Sequence, residues 1–150
     1  RARKIKLLFQ NMGAKSIYES EVGTPSDILI IQSLGILPSL YSDAELAFVG
    51  GSIVNRGGHN VIEPAIAKCP FILGKNYFNF KNIVDAFINA NATYVVRTPI
   101  DIYKIFSEIY KDQNRIKENM IKNASTVVDK NIGATLRQLS IIRASLKIEE

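Results

Sequence analysis

Phe48-Val49-Gly50-Gly51-Ser52-Ile53-Val54-Asn55-Arg56-Gly57-Gly58-His59-Asn60-Val61-Ile62-Glu63-Pro64 is the stretch that decides the fold. It holds four of the chain's nine glycines, its only histidine and one of its five prolines. The apolar residues 46–49 lead into it as a strand, and a helical pattern over residues 64–68 leads out. A strand, a glycine-rich loop and a helix in that order turn backbone N–H groups and a helix N-terminus toward a bound anion. Glycine lets such a loop take positive φ and approach a ligand closely. The spacing is neither G-x-G-x-x-G nor the P-loop, and no lysine lies between Gly50 and Glu63. The loop is therefore not a dinucleotide or ATP site of those types. An anion here is expected to be held by N–H groups with Ser52, Arg56, His59 and Asn60.

The surrounding chain alternates strands and helices. Residues 3–11 form an amphipathic helix through Ile5, Leu7, Leu8 and Phe9, with Gly13 as its C-cap. Residues 16–18 are a short strand and 19–26 a loop. The β-branched run 28–31 predicts a strand buried on both faces. After a turn over residues 32–38, residues 40–44 predict a short helix. Residues 71–73 are a buried strand, 74–79 a loop at its end, and 80–89 a helix with Phe80, Ile83, Val84, Phe87 and Ile88 on one side. Residues 93–96 are a further strand. Thr98-Pro99-Ile100-Asp101 starts a helix: Thr as N-cap, Pro in the first position, an acid three residues on. Residues 111–115 interrupt it, a second helix carries Ile116, Met120, Ala124 and Val127, and Gly133 breaks the chain again. A last helix carries Leu136, Leu139, Ile142 and Leu146. The order predicts an α/β fold, a Rossmann-like parallel sheet with helices on both faces.

With 150 residues, 47% of them hydrophobic, the chain is expected to form one domain. Its apolar runs are too short for a membrane-spanning helix, and no signal-peptide pattern is visible. One cysteine, Cys69, permits no internal disulfide and reads as a packing residue. The net charge of +5 points to a solvated basic surface or to anionic partners. No zinc spacing and no RNA-binding aromatic signature is present, so nucleic acid is not expected.

The string GGS-I-V-x-x-GGHN-x-x-EP, followed by Asn79-Phe80-Lys81, resembles the signature of the 3-deoxy-D-manno-octulosonic acid (Kdo) transferases. These are GT-B glycosyltransferases that move Kdo from CMP-Kdo to lipid A precursor. The likeness runs over roughly residues 28–96, continues weakly toward the C-terminus, and covers only the second half of such an enzyme. It implies the C-terminal half of a GT-B fold, a CMP-Kdo-binding domain over residues 1–150, with the N-terminal acceptor domain outside this chain. The opening at Arg1, on a helix with no strand ahead of it, agrees with a piece of a longer protein. The family usually carries Asp-Thr, a hydrophobic residue, then Gly-Glu-Leu where this chain has Gln32-Ser33-Leu34-Gly35-Ile36-Leu37. Both acids are missing, so their role does not carry over, but Ser33 and the backbone at Gly35 remain ligand candidates beside the alternative of a plain turn.

The expected donor-site residues are Ser33, Gly35, Gly50, Gly51, Ser52, Arg56, Gly57, Gly58, His59, Asn60, Glu63 and Asn79. Glu63 either completes a capping box with Asn60 or, with Pro64 opening the helix, offers its carboxylate to ribose hydroxyls. The resemblance favours the ribose. His59 is a phosphate or carboxylate donor, the one candidate acid, or structural. Arg56 either neutralises the donor or faces solvent, and Asn79 either positions the ligand or caps the helix after it. No residue here suits the base that deprotonates the acceptor, and the resemblance places that carboxylate in the N-terminal domain. The chain alone is thus expected to bind CMP-Kdo without catalysis and without cofactor. No metal is expected, in keeping with the absence of Asp-x-Asp. The further expectations are a role in lipopolysaccharide biosynthesis at the cytoplasmic face of the bacterial inner membrane, with that anionic surface and, through the missing domain, lipid A precursor as partners. The basic helices over residues 104–122 are a candidate lipid contact. Two alternatives remain: half of a UDP-sugar-using GT-B enzyme or epimerase, and a non-catalytic module for a phosphorylated ligand or a protein.

Overall fold

The computed structural model describes residues 1–112 and 115–146, with side chains through residue 131. The chain divides into two compact units, Arg1–Leu37 and Pro38–Glu150.

The first unit is built from α1 (Ala2–Asn11), β1 (Ser16–Tyr18) and β2 (Ile28–Ile30). The helix ends where Gly13 takes φ +79°, with Gly13 N–H on Gln10 O and Ala14 N–H on Phe9 O. This is a Schellman closure, with glycine in the left-handed position. β1 and β2 pair in parallel, Ser16 against Ile28 and Tyr18 against Ile30. Their connection is shorter than the dozen or more residues a parallel crossover usually needs, and holds a single 3-10 turn, Glu19–Glu21. Carboxylates stitch it: Glu21 accepts from Tyr18 N–H at 2.7 Å and pairs with Lys6 at 2.9 Å, and Asp27 accepts from Lys15 N–H at 2.8 Å. The backbone donor at Tyr18, then Lys6, holds the Glu21 carboxyl below its usual pKa. β2 is not buried on both faces as its apolar run predicts: β1 is its one paired strand, Ile30 is buried, and Leu29 is 42% exposed.

The second unit holds β3 (Ala47–Val49), β4 (Phe71–Gly74) and β5 (Thr93–Val96) in one parallel sheet with β4 in the centre. Ala47 lies against Phe71 and Phe71 against Thr93. Every residue of β4 is buried, as a strand covered on both faces requires. The helices are α2 (Leu37–Asp43), which begins three residues before the sequence pattern predicts, α3 (Ile62–Ile66), α4 (Lys81–Asn89), α5 (Pro99–Lys111) and α6 (Arg115–Leu146). One core gathers Val49, Val61, Phe71, Leu73, Val84 and Phe87 with Ala124 and Val127 of α6. Phe71 and Phe87 meet edge to face, with ring centroids 5.2 Å apart. Ile72 and Val96 join a second core with Ile109 of α5 and Met120 of α6. Because Ile72 alternates with Phe71 and Leu73 along β4, the two cores lie on opposite faces of the sheet. The layered α/β architecture is the one the sequence predicts, its parallel strands falling into two sheets.

Local signals carried over well at α5. Thr98 Oγ accepts from Asp101 N–H at 3.2 Å, and Asp101 Oδ2 accepts from Thr98 N–H at 2.8 Å and Arg97 N–H at 3.0 Å. Gly133 does not break the chain: α6 runs through it to Leu146. A mid-helix glycine costs only about 1 kcal/mol against alanine. The side chains of Leu136, Leu139, Ile142 and Leu146 lie outside the described residues, as do Gln113 and Asn114. Among the described residues no helix is long and apolar enough to cross a membrane. Cys69 is buried, with its thiol on the carbonyls of Ala44 and Pro70, and burial pushes its pKa up. A thiol so held is a poor nucleophile.

Candidate functional site

Two loops leave neighbouring strands at the carboxyl edge of the second sheet, where ligands of open α/β sheets bind. One runs from Val49 to α3 and is the glycine-rich stretch. The other runs from Gly74 to α4. The second loop holds the first by its carbonyls. Asn76 N–H donates to Ser52 O at 2.8 Å and Asn76 Nδ2 to Ile53 O at 2.7 Å. Asn79 N–H donates to Gly57 O at 3.2 Å and Asn79 Nδ2 to Arg56 O at 3.3 Å. Gly57 must be glycine for two reasons. Its φ is +84°, and a Cβ there would collide with the Asn79 side chain. Asn79 is therefore a clasp on the glycine loop. It is not the cap of α4, whose N-cap is Phe80 with no side-chain bond.

Ser52 completes the clasp. Its side chain is fully buried, donating to Val49 O at 2.5 Å and accepting from Gly74 N–H at 2.8 Å. The hydroxyl ties the ends of β3 and β4 together and does not face a ligand space. Gly58 N–H closes onto Gly51 O at 3.2 Å. Among the described residues, no protein acceptor takes the N–H groups of Gly57, His59 or Asn60. Gly51, at φ +72°, leaves room for the His59 ring, which would lie 3.0 Å from a Cβ there. His59 is exposed, and so is Arg56, whose guanidinium makes no ion pair among the described residues.

Glu63 sits differently from either sequence expectation. α3 begins at Ile62 with Val61 as N-cap, so Glu63 is the second helical residue and Pro64 the third. Proline costs nothing there, because the first N–H groups of a helix have no intrahelical partner. Asn60 Oδ1 accepts from Ile62 N–H at 3.0 Å, and Asn60 Nδ2 donates to Glu63 Oε1 at 3.0 Å. The carboxylate is exposed, one oxygen fixed by Asn60 and the other turned to no protein donor among the described residues. Tyr41 of α2 lies close enough to feel it: burial first, then the Glu63 charge, raises the Tyr41 phenol above its usual pKa.

Two further expected residues, Ser33 and Gly35, belong to the first unit. Ser33 gives both its N–H (2.9 Å) and its hydroxyl (2.7 Å) to the carboxylate of Glu19. Gly35 lies in an exposed turn at φ +86°. Sequence reasoning missed Asn76 and Tyr41. Asn76 follows Gly74 in a loop already marked by its place after a strand, which was the available signal. Tyr41 had none.

No protein-family model matches the chain. Among curated proteins, the 3-deoxy-D-manno-octulosonic acid transferase of Haemophilus influenzae is 30% identical over 122 residues, 81% of this chain and 29% of that protein. The Bordetella pertussis enzyme of the same name is 40% identical over 78 residues, 52% of this chain and 18% of that protein. Among solved structures, the C-terminal CMP-Kdo binding domain of WaaA from Acinetobacter baumannii matches with a TM-score of 0.77 at 28% identity, over 85% of this chain and 68% of that one. The chain is a homologue of the Kdo transferases. It spans under a third of the length of these curated relatives. Its α/β layering is that of the C-terminal half of a GT-B fold. Against this Kdo transferase background, the clasped glycine loop and the carboxylate at α3 stand on the half of the fold that, in the Acinetobacter protein, is the CMP-Kdo binding domain.

Proposed function

We propose that this chain is the donor-binding domain of a Kdo transferase and holds CMP-Kdo at the mouth of the glycine loop. The observation that carries the proposal is the exposed Glu63 carboxylate, oriented by Asn60 beside a loop whose N–H groups at Gly57, His59 and Asn60, among others, have no protein acceptor among the described residues. In this reading the N–H groups of Gly57, His59 and Asn60, with Arg56 and His59 side chains, hold the phosphate and the sugar carboxylate. Glu63 accepts hydrogen bonds from the ribose hydroxyls. The leaving CMP is thereby stabilised, which is one of the two tasks of glycosyl transfer. The other, deprotonating the acceptor hydroxyl, falls to a second domain that also binds lipid A precursor. The whole protein then acts in lipopolysaccharide biosynthesis at the cytoplasmic face of the inner membrane. The chemistry needs no divalent metal or other cofactor, and this domain alone does not turn over.

Calorimetric titration of the chain with CMP and with UMP tests the reading. CMP should bind with UMP much weaker. Glu63→Ala removes charge-assisted hydrogen bonds worth about 2 kcal/mol or more together, so CMP affinity should fall roughly thirty-fold. Equal or stronger binding of UMP would transfer the chain to the UDP-sugar reading. An unchanged CMP affinity in the folded Glu63→Ala variant would remove the ribose from Glu63.

A further inference from the structure

α5 carries an apolar strip that the fold leaves open. Tyr103, Phe106 and Tyr110 recur at helical spacing and are 73%, 45% and 91% exposed, with Ile100 beside them at 64%. Pro99, Ile102 and Ser107 complete a shallow groove of about 500 Å³. The adjoining side of the same helix is buried through Ile109, with Ile105 packed at the core and Ile102 shared between core and groove. Among the described residues the strip is thus a face separate from the one that packs on the core.

Its flank is basic. Lys104 and Lys111 each follow one position after Tyr103 and Tyr110, seven residues apart, and so form one row along the edge of the strip. Both are exposed. Of the two acids of α5, Asp101 is bound to the N–H groups of Arg97 and Thr98 at the helix start. By helical position both Asp101 and Glu108 lie beyond the lysine row, away from the aromatic strip. In α6, by contrast, Lys117 is paired with Glu45 and Met120 is buried. Arg115 and Lys122 of α6 are exposed too, but within the stretch over residues 104–122 it is α5 that sets its lysines beside exposed aromatic side chains.

We propose that this face docks the domain on an anionic lipid surface. Tyrosine and phenylalanine suit the boundary between acyl chains and headgroups, with the phenol hydroxyls left among the polar groups. The adjoining lysine row meets anionic headgroups. The strip is too small for a second copy of the chain. A helix of 13 residues is about 20 Å long, and an open strip about 10 Å wide offers roughly 200 Å², against about 800 Å² per partner in a stable interface. The inference rests on the proposed function only for which membrane is met.

The test is flotation of the 150-residue chain with vesicles of phosphatidylglycerol and phosphatidylcholine, and with phosphatidylcholine alone, at low and at physiological salt. Binding should require the anionic lipid and weaken with salt. Lys104→Glu with Lys111→Glu should cut it by at least about twenty-fold, since each lysine near such a surface is worth about five-fold. Tyr103→Ser with Phe106→Ser and Tyr110→Ser should abolish it. All five side chains are exposed, Phe106 the least of the three aromatics at 45%, so both variants should stay folded with wild-type CMP affinity, the serine variant losing only the partial packing of Phe106. No binding to anionic vesicles at low salt overturns the proposal, and so does binding that the lysine variant leaves unchanged. A dimer in light scattering that the serine variant dissolves assigns the face to a second copy instead. Since CMP is titrated separately, failure here and failure of the donor-site reading are distinguishable.

Discussion

Ser52→Ala separates a structural from a ligand-binding role at the centre of the glycine loop. The substitution removes one oxygen and changes little else in shape. It leaves the buried Gly74 N–H without its 2.8 Å acceptor and the Val49 carbonyl without its 2.5 Å donor. A buried donor left unsatisfied costs about 1–3 kcal/mol, and a lost hydrogen bond about 0.5–1.5 kcal/mol. The sum is about 1.5–4.5 kcal/mol, or a fall in Tm of roughly 3–18 °C for a chain of this size. Thermal melts by circular dichroism read the stability, and calorimetry well below Tm reads CMP affinity. The affinity should change by no more than about three-fold, a bound suited to a hydroxyl that does not touch the ligand. The reasoning fails if the variant melts within 2 °C of wild type, roughly 0.5 kcal/mol, while CMP binding drops ten-fold. That result would mean the hydroxyl turns to the phosphate, as the sequence alone suggested.

Asn60→Ala should weaken CMP binding by several-fold, less than Glu63→Ala, because it frees the ribose carboxylate from its brace without removing it; titration of the single and double variants should show non-additive losses. Lys68 ends α3 in the left-handed region at φ 56°, the Schellman position with Cys69 N–H on Pro64 O at 2.9 Å. Lys68→Gly relieves a strain of about 1 kcal/mol, partly offset by a freer unfolded chain, and should raise the urea midpoint. Asp101 is held below its usual pKa, first by the Arg97 N–H and then by Thr98. Its stabilising effect is therefore complete above the ordinary aspartate range and disappears as pH falls through the depressed value. Amide exchange at the start of α5 should quicken at such acid pH, and Asp101→Asn should quicken it already at pH 6 while flattening the acid response.

What the sequence made legible was local. Thr98, Pro99 and Asp101 lie within one turn of helix, so their capping box needs no tertiary knowledge. Gly13 likewise closes α1 from within its own segment. The strand–loop–helix order around Gly50 was legible because apolar strand, glycines and helix follow each other directly. The clasp was not, since it joins Ser52, Ile53, Arg56 and Gly57 to Gly74, Asn76 and Asn79 across neighbouring strands. For Asn79 the sequence left ligand positioning and helix capping open, and asparagine beside a helix start usually is a cap. Only the adjacency of β3 and β4 gives it carbonyls to hold. The same blindness applied to Ser33, whose partner Glu19 stands in another loop, and to the exposure of Leu29, which depends on how many strands pair with β2.

The clasp also alters the physical account of how an anion would be held. A helix N-terminus attracts anions through its aligned dipoles, but α3 is five residues long, under two turns, and carries little of that field. The loop has to do the work by itself. It can, because Asn76 and Asn79 draw the carbonyls of Ser52, Ile53, Arg56 and Gly57 toward the neighbouring loop. A backbone whose carbonyls are held on one side presents its N–H groups elsewhere, and those of Gly57, His59 and Asn60 are among the loop N–H groups without protein acceptors among the described residues. Gly57 is buried, and a buried N–H left without an acceptor costs about 1–3 kcal/mol. The two asparagines, neither of which need touch the ligand, thus account for a donor array that the glycines only permit.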